Sequence, residues 1–156
     1  MRKRINNDNN RLSGMLSCCL TGLFVLLSLF TAKAQNHWTP NTGAFDNYMA
    51  ITAYLTLNGQ EVQSDQFEVG SFIDDECRGN FRLRPIEFMG HPYACFLPVW
   101  GSASDNGKPI TFKVYDHATQ TLYEVEQKPV YEYNGDLGTL APIQLTLIPP
   151  AYPVSI

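Results

Sequence analysis

The sequence predicts an all-β fold, a single antiparallel β-sandwich of about eight or nine short strands. Apolar and polar residues alternate in several short segments, as they do in strands with one buried face. Turn residues, chiefly Gly, Asn, Asp and Pro, separate these segments, and no segment after residue 35 has the apolar spacing of a helix.

The N-terminal residues 1–34 have the pattern of a signal peptide. Basic residues at positions 2–4 precede an apolar run over about 15–30, and an A-x-A cleavage site ends at Ala34. The run is short for a membrane span of roughly 20 residues, which disfavours a membrane anchor. Acylation of Cys18 or Cys19 is an alternative, although both precede most of the apolar run. We therefore expect an exported protein that is periplasmic, secreted or at the cell surface.

Cleavage would leave residues 35–156, which are enough for one β-sandwich domain with its own core. This part carries six Lys and Arg against 14 Asp and Glu, a net charge of −8. Nucleic-acid binding needs a basic face, so nucleic acid and anionic membranes are not expected as partners. No transmembrane segment is expected in the mature chain.

The first strands follow from the alternation and the turn chemistry. Residues 49–57 alternate, and Asn58-Gly59 is a strong signal for a tight hairpin, with its return strand near Glu61-Val62. A further strand is expected over 67–72, where Gly70 indicates a bulge or a close approach of another group.

The later strands are bounded in the same way. The turn Asp74-Asp75-Glu76 leads into a partner strand that continues to Leu83. The apolar run 94–100 predicts a central strand, although Pro98 favours an edge or a bulge. Other strands are expected at 110–116, 122–125, 130–133 and 143–147, before a Pro-rich tail from Pro149.

Two cysteines, Cys77 and Cys95, lie in the expected domain. If 77–83 and 94–100 formed a simple hairpin, the two sulfurs would be about 17 Å apart at about 3.3 Å per residue. Bridged Cα atoms lie within about 7 Å. Either these strands are not simple neighbours or both residues are free thiols. The spacing favours free thiols and leaves a disulfide open.

The acidic turn Asp74, Asp75 and Glu76 is a weak candidate for calcium. Calcium takes roughly six to eight oxygen ligands, and three adjacent acids in a tight turn cannot all face one ion. A solvated turn is the favoured interpretation, and no cofactor is expected unless calcium binds here.

Arg78 and several aromatic residues are the candidate ligand contacts. Arg78 has the geometry for a carboxylate or sulfated ligand, although a structural role is the favoured interpretation. Aromatic residues make up 12% of the chain, and exposed rings can stack on sugars, whereas buried rings fill a core. The aromatic candidates are Trp38, Tyr93, Trp100, Tyr131 and Tyr133, of which the last two would share one face of a strand.

The histidines give no support to an enzyme. His37, His91 and His117 lack the short spacings of a metal site, and no local motif supports a Cys77 and His91 nucleophile pair. We therefore expect a non-enzymatic protein.

The segment Glu68–Gly79 reads EVGSFIDDECRG and resembles the E-V-G-A-F-x-x-x-E-C-R-G core of a recurrent β-domain in Bacteroidetes surface proteins. Ser71 replaces the usual small apolar residue. The resemblance implies an extracytoplasmic β-sandwich module, usually one part of a longer surface protein, and it supplies no known binding residues. More generic matches are Trp38, the 49–53 strand, Asn58-Gly59, the 110–116 strand and the 138–142 segment.

Two functions remain open at this level. The first is an adhesion or assembly module at the cell envelope, which contacts an envelope or surface protein through a sheet edge or a loop face. The alternative is a carbohydrate-binding module that contacts a glycan through exposed aromatics. An exposed apolar patch favours the first, and two coplanar exposed rings favour the second.

Overall fold

The computed structural model describes residues 35–151. Strands make up 49% of the structure and helix is almost absent, so the predicted all-β class is confirmed. The predicted signal peptide, with Cys18 and Cys19, and the last five residues of the tail lie outside the described residues. Within the described range, no helix has the length and apolar character needed to cross a membrane.

The described chain forms strands connected by turns, loops and two short 3-10 helices, Thr42–Ala44 and Ala103–Asp105. The strands are β1 (Asn47–Leu57), β2 (Gln60–Glu61), β3 (Phe67–Ile73), β4 (Glu76–Arg82), β5 (Cys95–Gly101), β6 (Thr111–Asp116), β7 (Thr121–Val125), β8 (Asp136–Leu137) and β9 (Ile143–Ile148).

These nine strands belong to one curled sheet with the order β2-β1-β9-β7-β6-β3-β4, and β5 and β8 also pair with β1. The strand β1 is antiparallel to β2 and β5 but parallel to β8 and β9. The prediction of a purely antiparallel fold is therefore wrong, and a two-sheet sandwich is not confirmed. The parallel pairing is possible because β1 and β9 are far apart in the sequence, whereas parallel neighbours cannot be joined by a tight turn.

The curl brings β4 close to β5 without a ladder between them. A Cβ on Gly79 would lie 1.9 Å from the carbonyl oxygen of Pro98, so only glycine allows this approach. Among the described strands, β5 pairs with β1 alone. The run 94–100 is therefore an edge strand, as Pro98 indicated, and the prediction of a central strand is wrong.

The core lies on the concave side of the curl. Along β1, Met49, Ile51, Ala53 and Leu55 point inward and are at most 3% exposed. The opposite side of the sheet has two regions that matter below. The β3–β4 face carries the outward side chains of β3 and β4, and the β1–β5 face carries those of β1 and β5.

Both tight hairpins have the predicted turn residues. Asn58 and Gly59 have φ values of 53° and 78°, and Asp74 and Asp75 have 51° and 62°. Two consecutive positive φ values define the turn that matches the twist of a two-residue hairpin. The predicted turns at Asn58-Gly59 and at the acidic segment are confirmed.

The strand predicted at 130–133 is absent. Val130 forms only an isolated bridge with Pro109, and Tyr131 exchanges backbone hydrogen bonds with the loop at Gly107 and Lys108. Because the backbone of residues 130–131 pairs with the loop at 107–109, the segment does not join the sheet. The expectation that Tyr131 and Tyr133 share a strand face is therefore wrong.

Both described cysteines are free thiols, as the spacing favoured. Cys77 lies opposite Phe72, and Cys95 lies opposite Ala53, because β4 and β5 pair with different strands. Burial raises the pKa of both thiols.

Candidate functional site

The β3–β4 face is covered by the entry segment, residues 36–45, which is held there by Glu68. The Glu68 carboxylate is fully buried, at 0% exposure. It accepts hydrogen bonds from the backbone N–H groups of His37, at 2.7 Å, and Trp38, at 3.2 Å. The entry segment is thus fixed to the sheet through backbone groups, which any sequence could supply.

Two side chains complete the shell around Glu68. The Nδ2 of Asn80 donates to Oε1 at 3.1 Å, and the Nε2 of His117 lies 2.8 Å from Oε2. Burial alone would raise the pKa of Glu68, but the bonds from His37, His117, Asn80 and Trp38 together hold it below its ordinary value. This carboxylate is therefore a buried, ionised anchor.

The ring of Trp38, whose backbone N–H is held by Glu68, packs on the sheet at Gly70 and Phe72. A Cβ on Gly70 would lie 2.8 Å from the Trp38 ring, and the ring meets Phe72 edge-on at 5.7 Å between centroids. The close approach predicted at Gly70 is confirmed, with Trp38 as the approaching group. Trp38 was a candidate for sugar stacking, but its ring is used in this packing.

Arg78 is buried among structural partners, which agrees with the structural role that the sequence favoured and leaves the ligand role without support. The ladder between β3 and β4 skips Arg78, which is therefore a bulge residue whose side chain is re-aimed. Its Nη1 donates to Asp105 Oδ2 at 2.9 Å and to the Trp100 carbonyl at 3.3 Å, and its guanidinium lies 4.1 Å from the centre of the Phe45 ring. With 5% exposure, it has no surface to offer a ligand.

Asp105 connects Arg78 to the acidic turn. Its carboxylate also accepts bonds from Lys108 Nζ at 2.9 Å and from the Ser102 N–H at 3.0 Å. Burial would raise the pKa of Asp105, but the bonds from Lys108, Arg78 and Ser102 lower it from 3.8 to about 2. Lys108 also pairs with Asp74 at 2.7 Å, so this acid already has a cation.

The calcium candidates do not converge on one point. Asp74 pairs with Lys108, Glu76 Oε2 lies 3.2 Å from Arg78 Nε, and Asp75 occupies the turn between them. Across residues 35–151, no group of three or more His, Cys, Asp or Glu is placed to hold a metal ion.

Three of the candidate tyrosines pack on the core. The candidate Tyr131 is 1% exposed, so its ring lies in the core and has no surface on which a sugar could stack. Burial, with the nearby charge of Asp105, raises its pKa. Tyr93 and Tyr133 are partly buried against the core, and the Tyr133 hydroxyl donates to Asp46 at 3.2 Å.

The β1–β5 face holds an open groove of about 400 Å³, and it includes the remaining candidate, Trp100. Its floor and walls come from directly opposed pairs of the ladder, in which Tyr48 faces Trp100, Ala50 faces Pro98 and Thr52 faces Phe96. The lining residues are Tyr48, Ala50, Ile51, Thr52, Phe96, Leu97, Pro98 and Trp100. The small Ala50 leaves space between the larger side chains, and no lining residue carries a formal charge.

The two ends of the groove differ. At one end, Tyr48 is 46% exposed and its ring lies 5.2 Å from that of Trp100, tilted by 51°. Beyond Thr52, the next outward residue of β1 is Tyr54, which stacks on His91 at 3.8 Å. The loop that carries His91 covers β1 there, so the groove is open toward Tyr48 and bounded toward Tyr54.

Sequence reasoning found Trp100 but missed Tyr48 and Phe96, which face the same side of the sheet. The available signal was the alternation in 47–57, which places Tyr48, Ala50 and Thr52 on the side opposite the core. The pairing of β1 with β5 was not visible in that alternation, and it is this pairing that assembles the groove.

No protein-family model, curated protein or solved structure matches this chain. The resemblance to the Bacteroidetes β-domain therefore stays a prediction, and the groove is interpreted from its own geometry.

Proposed function

We propose that this chain is an exported, non-enzymatic module for adhesion or assembly at the cell envelope, which binds an uncharged segment of a partner protein in the β1–β5 groove. The observation that carries the proposal is the open, uncharged groove on the β1–β5 face, which is lined by aromatic side chains. Export and the envelope location come from the predicted signal peptide.

The chemistry of the lining supports a protein segment as the ligand. Aromatic residues are enriched where proteins bind proteins, and they contribute most when they flank a pocket. Tyr48, Phe96 and Trp100 surround a depression whose centre is formed by Ala50 and Pro98. Because the lining has no charge, a charged ligand would lose its hydration there without compensation.

A carbohydrate remains the second candidate because Tyr48 and Trp100 are neighbouring, accessible rings. Their planes are tilted by 51°, so they do not form one flat platform for a sugar. Stacking on a single ring remains open to this candidate, which makes a glycan array a necessary part of the test.

The test is site-specific photo-cross-linking in cells that express and export the whole chain. Tyr48 is replaced by p-benzoylphenylalanine, and the cross-linked peptide of the partner is identified by mass spectrometry. Leu122 on β7, which is 42% exposed, receives the same group as a matched control. We expect a defined adduct at position 48 whose partner peptide is uncharged, and we expect Trp100→Ala to remove it.

Two results would contradict this function. The first is an adduct that is equal at positions 48 and 122, or that survives Trp100→Ala. The second is glycan-array binding by the purified protein that Trp100→Ala abolishes, which would establish the carbohydrate-binding alternative.

A further inference from the structure

The Pro-rich tail is a segment whose chemistry fits the groove. Residues 149–156 read PPAYPVSI and carry no charged side chain. Pro150 and Pro153 give the P-x-x-P spacing of segments that bind aromatic-lined grooves as extended helices with three residues per turn. The described part of the tail, Pro149 to Ala151, is exposed.

The charge of the molecule restricts which surfaces of two copies can meet. Residues 35–156 have a net charge of −8, so two copies repel each other over most of their surfaces. The side chains of the groove lining and of the tail are all uncharged. Contact between them therefore buries apolar surface without removing an ionised side chain from water.

The strand β9 ends far from the groove of its own chain. Leu147 lies beside Leu57 in the parallel ladder, so β9 ends at the end of β1 that is opposite to the groove. The groove lies at Tyr48 to Thr52, about 16 to 30 Å back along β1 at about 3.3 Å per residue. Eight residues in the extended proline helix span about 25 Å, which falls short of the open end of the groove at Tyr48. The strand β9 also lies on the edge of β1 opposite to β5.

We propose that the β1–β5 groove binds the 149–156 segment of a second copy of this chain, which makes the contact head-to-tail. This inference rests on the function proposed above and names the partner. A head-to-tail contact uses two different surfaces, so each copy in a row keeps one groove and one tail available. The product is a row or a ring of copies.

Two variants separate the two halves of the contact. A chain ending at Ile148 keeps the groove and lacks the tail, whereas Trp100→Ala keeps the tail and weakens the groove. A full-length variant with Pro150→Ser and Pro153→Ser controls for chain length. Near-ultraviolet circular dichroism and the urea midpoint of each variant show whether it is folded.

Sedimentation of the purified exported protein gives the readout. We expect the parent chain to associate as its concentration rises, and to associate more strongly when salt screens the repulsion. Each variant alone should associate at least about tenfold more weakly, because an aromatic residue at the centre of a contact carries much of its affinity. An equimolar mixture of the truncated chain and Trp100→Ala should form one-to-one dimers.

The tail proposal is overturned if truncation leaves association unchanged or if the mixture stays monomeric. It is also overturned if the tail occupies the groove of its own chain, which would make its binding independent of protein concentration. If truncation has no effect but position 48 still cross-links to an uncharged segment of another protein, the function proposed above stands without this inference. If no such cross-link forms either, both proposals fail.

Discussion

The β3–β4 face and the β1–β5 face lie on the same side of one sheet and both carry aromatic side chains, yet only one is covered. On the β3–β4 face, the entry segment places Trp38 over Gly70 and Phe45 beside Arg78. On the β1–β5 face, Tyr48 and Trp100 border an open groove.

The difference between the two faces follows their charges. Glu68 and Arg78 on the covered face are ionisable and buried. Each needs hydrogen-bonding partners, which other segments of the same chain supply. The lining of the groove contains no formal charge, so no buried charge there needs hydrogen-bonding partners. The covered face is therefore organised for stability, whereas the open face can lose a side chain without leaving a buried charge unpaired.

The largest expected effect comes from breaking the charged contact on the covered face. Arg78→Met would leave the buried Asp105 with Lys108 as its cation, and we expect a loss of about 3 kcal/mol in the free energy of unfolding, measured in urea. The control is Arg84→Met, at an exposed position, which should change stability by less than about 0.5 kcal/mol. Equal effects of the two substitutions would show that the buried contact of Arg78 stabilises the covered face no more than an exposed arginine does.

A smaller effect is expected from acid. The pKa of Asp105 is about 2 in the folded protein against an ordinary 3.8. Because the folded pKa is the lower one, this stabilisation is complete above about pH 4 and is lost as the pH falls toward 2, by about 2 kcal/mol. Glu68, whose pKa is also lowered, acts in the same direction.

The check is a series of unfolding free energies from pH 5 to pH 2 for the parent chain and Asp105→Asn. The variant starts less stable and should lose less over this range. Parallel curves would show that the Asp105 carboxylate has the same affinity for protons in the folded and unfolded chains.

The smallest expected effect is the difference between the two tryptophans, about 1 kcal/mol in the free energy of unfolding. Trp38→Ala removes a ring that packs on Gly70 and Phe72, and it should cost about 2 kcal/mol, less than a fully buried ring. Trp100→Ala removes a ring from an open groove and should cost less than about 1 kcal/mol. Urea unfolding measures both, and the reverse order would contradict the assignment of Trp100 to a ligand and of Trp38 to the fold.

Local patterns were enough to predict most of the strands and the two tight turns. The alternation around Ile51 and the positive φ values allowed by Asn58-Gly59 depend on neighbouring residues, so they can be read from the sequence. The short segment at Tyr131 shows the limit of this approach. Its residues alternate as in a strand, but its backbone forms hydrogen bonds with the loop at Gly107 and Lys108 and does not join the sheet.

Long-range pairing was not predictable in the same way. Nothing in the composition of β1 shows that it pairs in parallel with β9, and the burial of Glu68 depends on an entry segment 30 residues away. The candidate site has the same origin, because Trp100 could be selected as an aromatic residue but its partner Tyr48 becomes evident only through the β1–β5 ladder.

The parallel ladder between β1 and β9 also sets when the fold can be completed. Tyr54 on β1 donates a hydrogen bond to Gln144, 90 residues later. A contact this distant closes slowly, because a long loop must be ordered before any stabilisation is gained. As the chain is synthesised from its N-terminus, one edge of β1 lacks the β9 part of its ladder until residues 143–147 have been added. The sheet is therefore completed only after nearly all of residues 35–148 have been synthesised, and until then β1 keeps part of one edge free to pair with another strand.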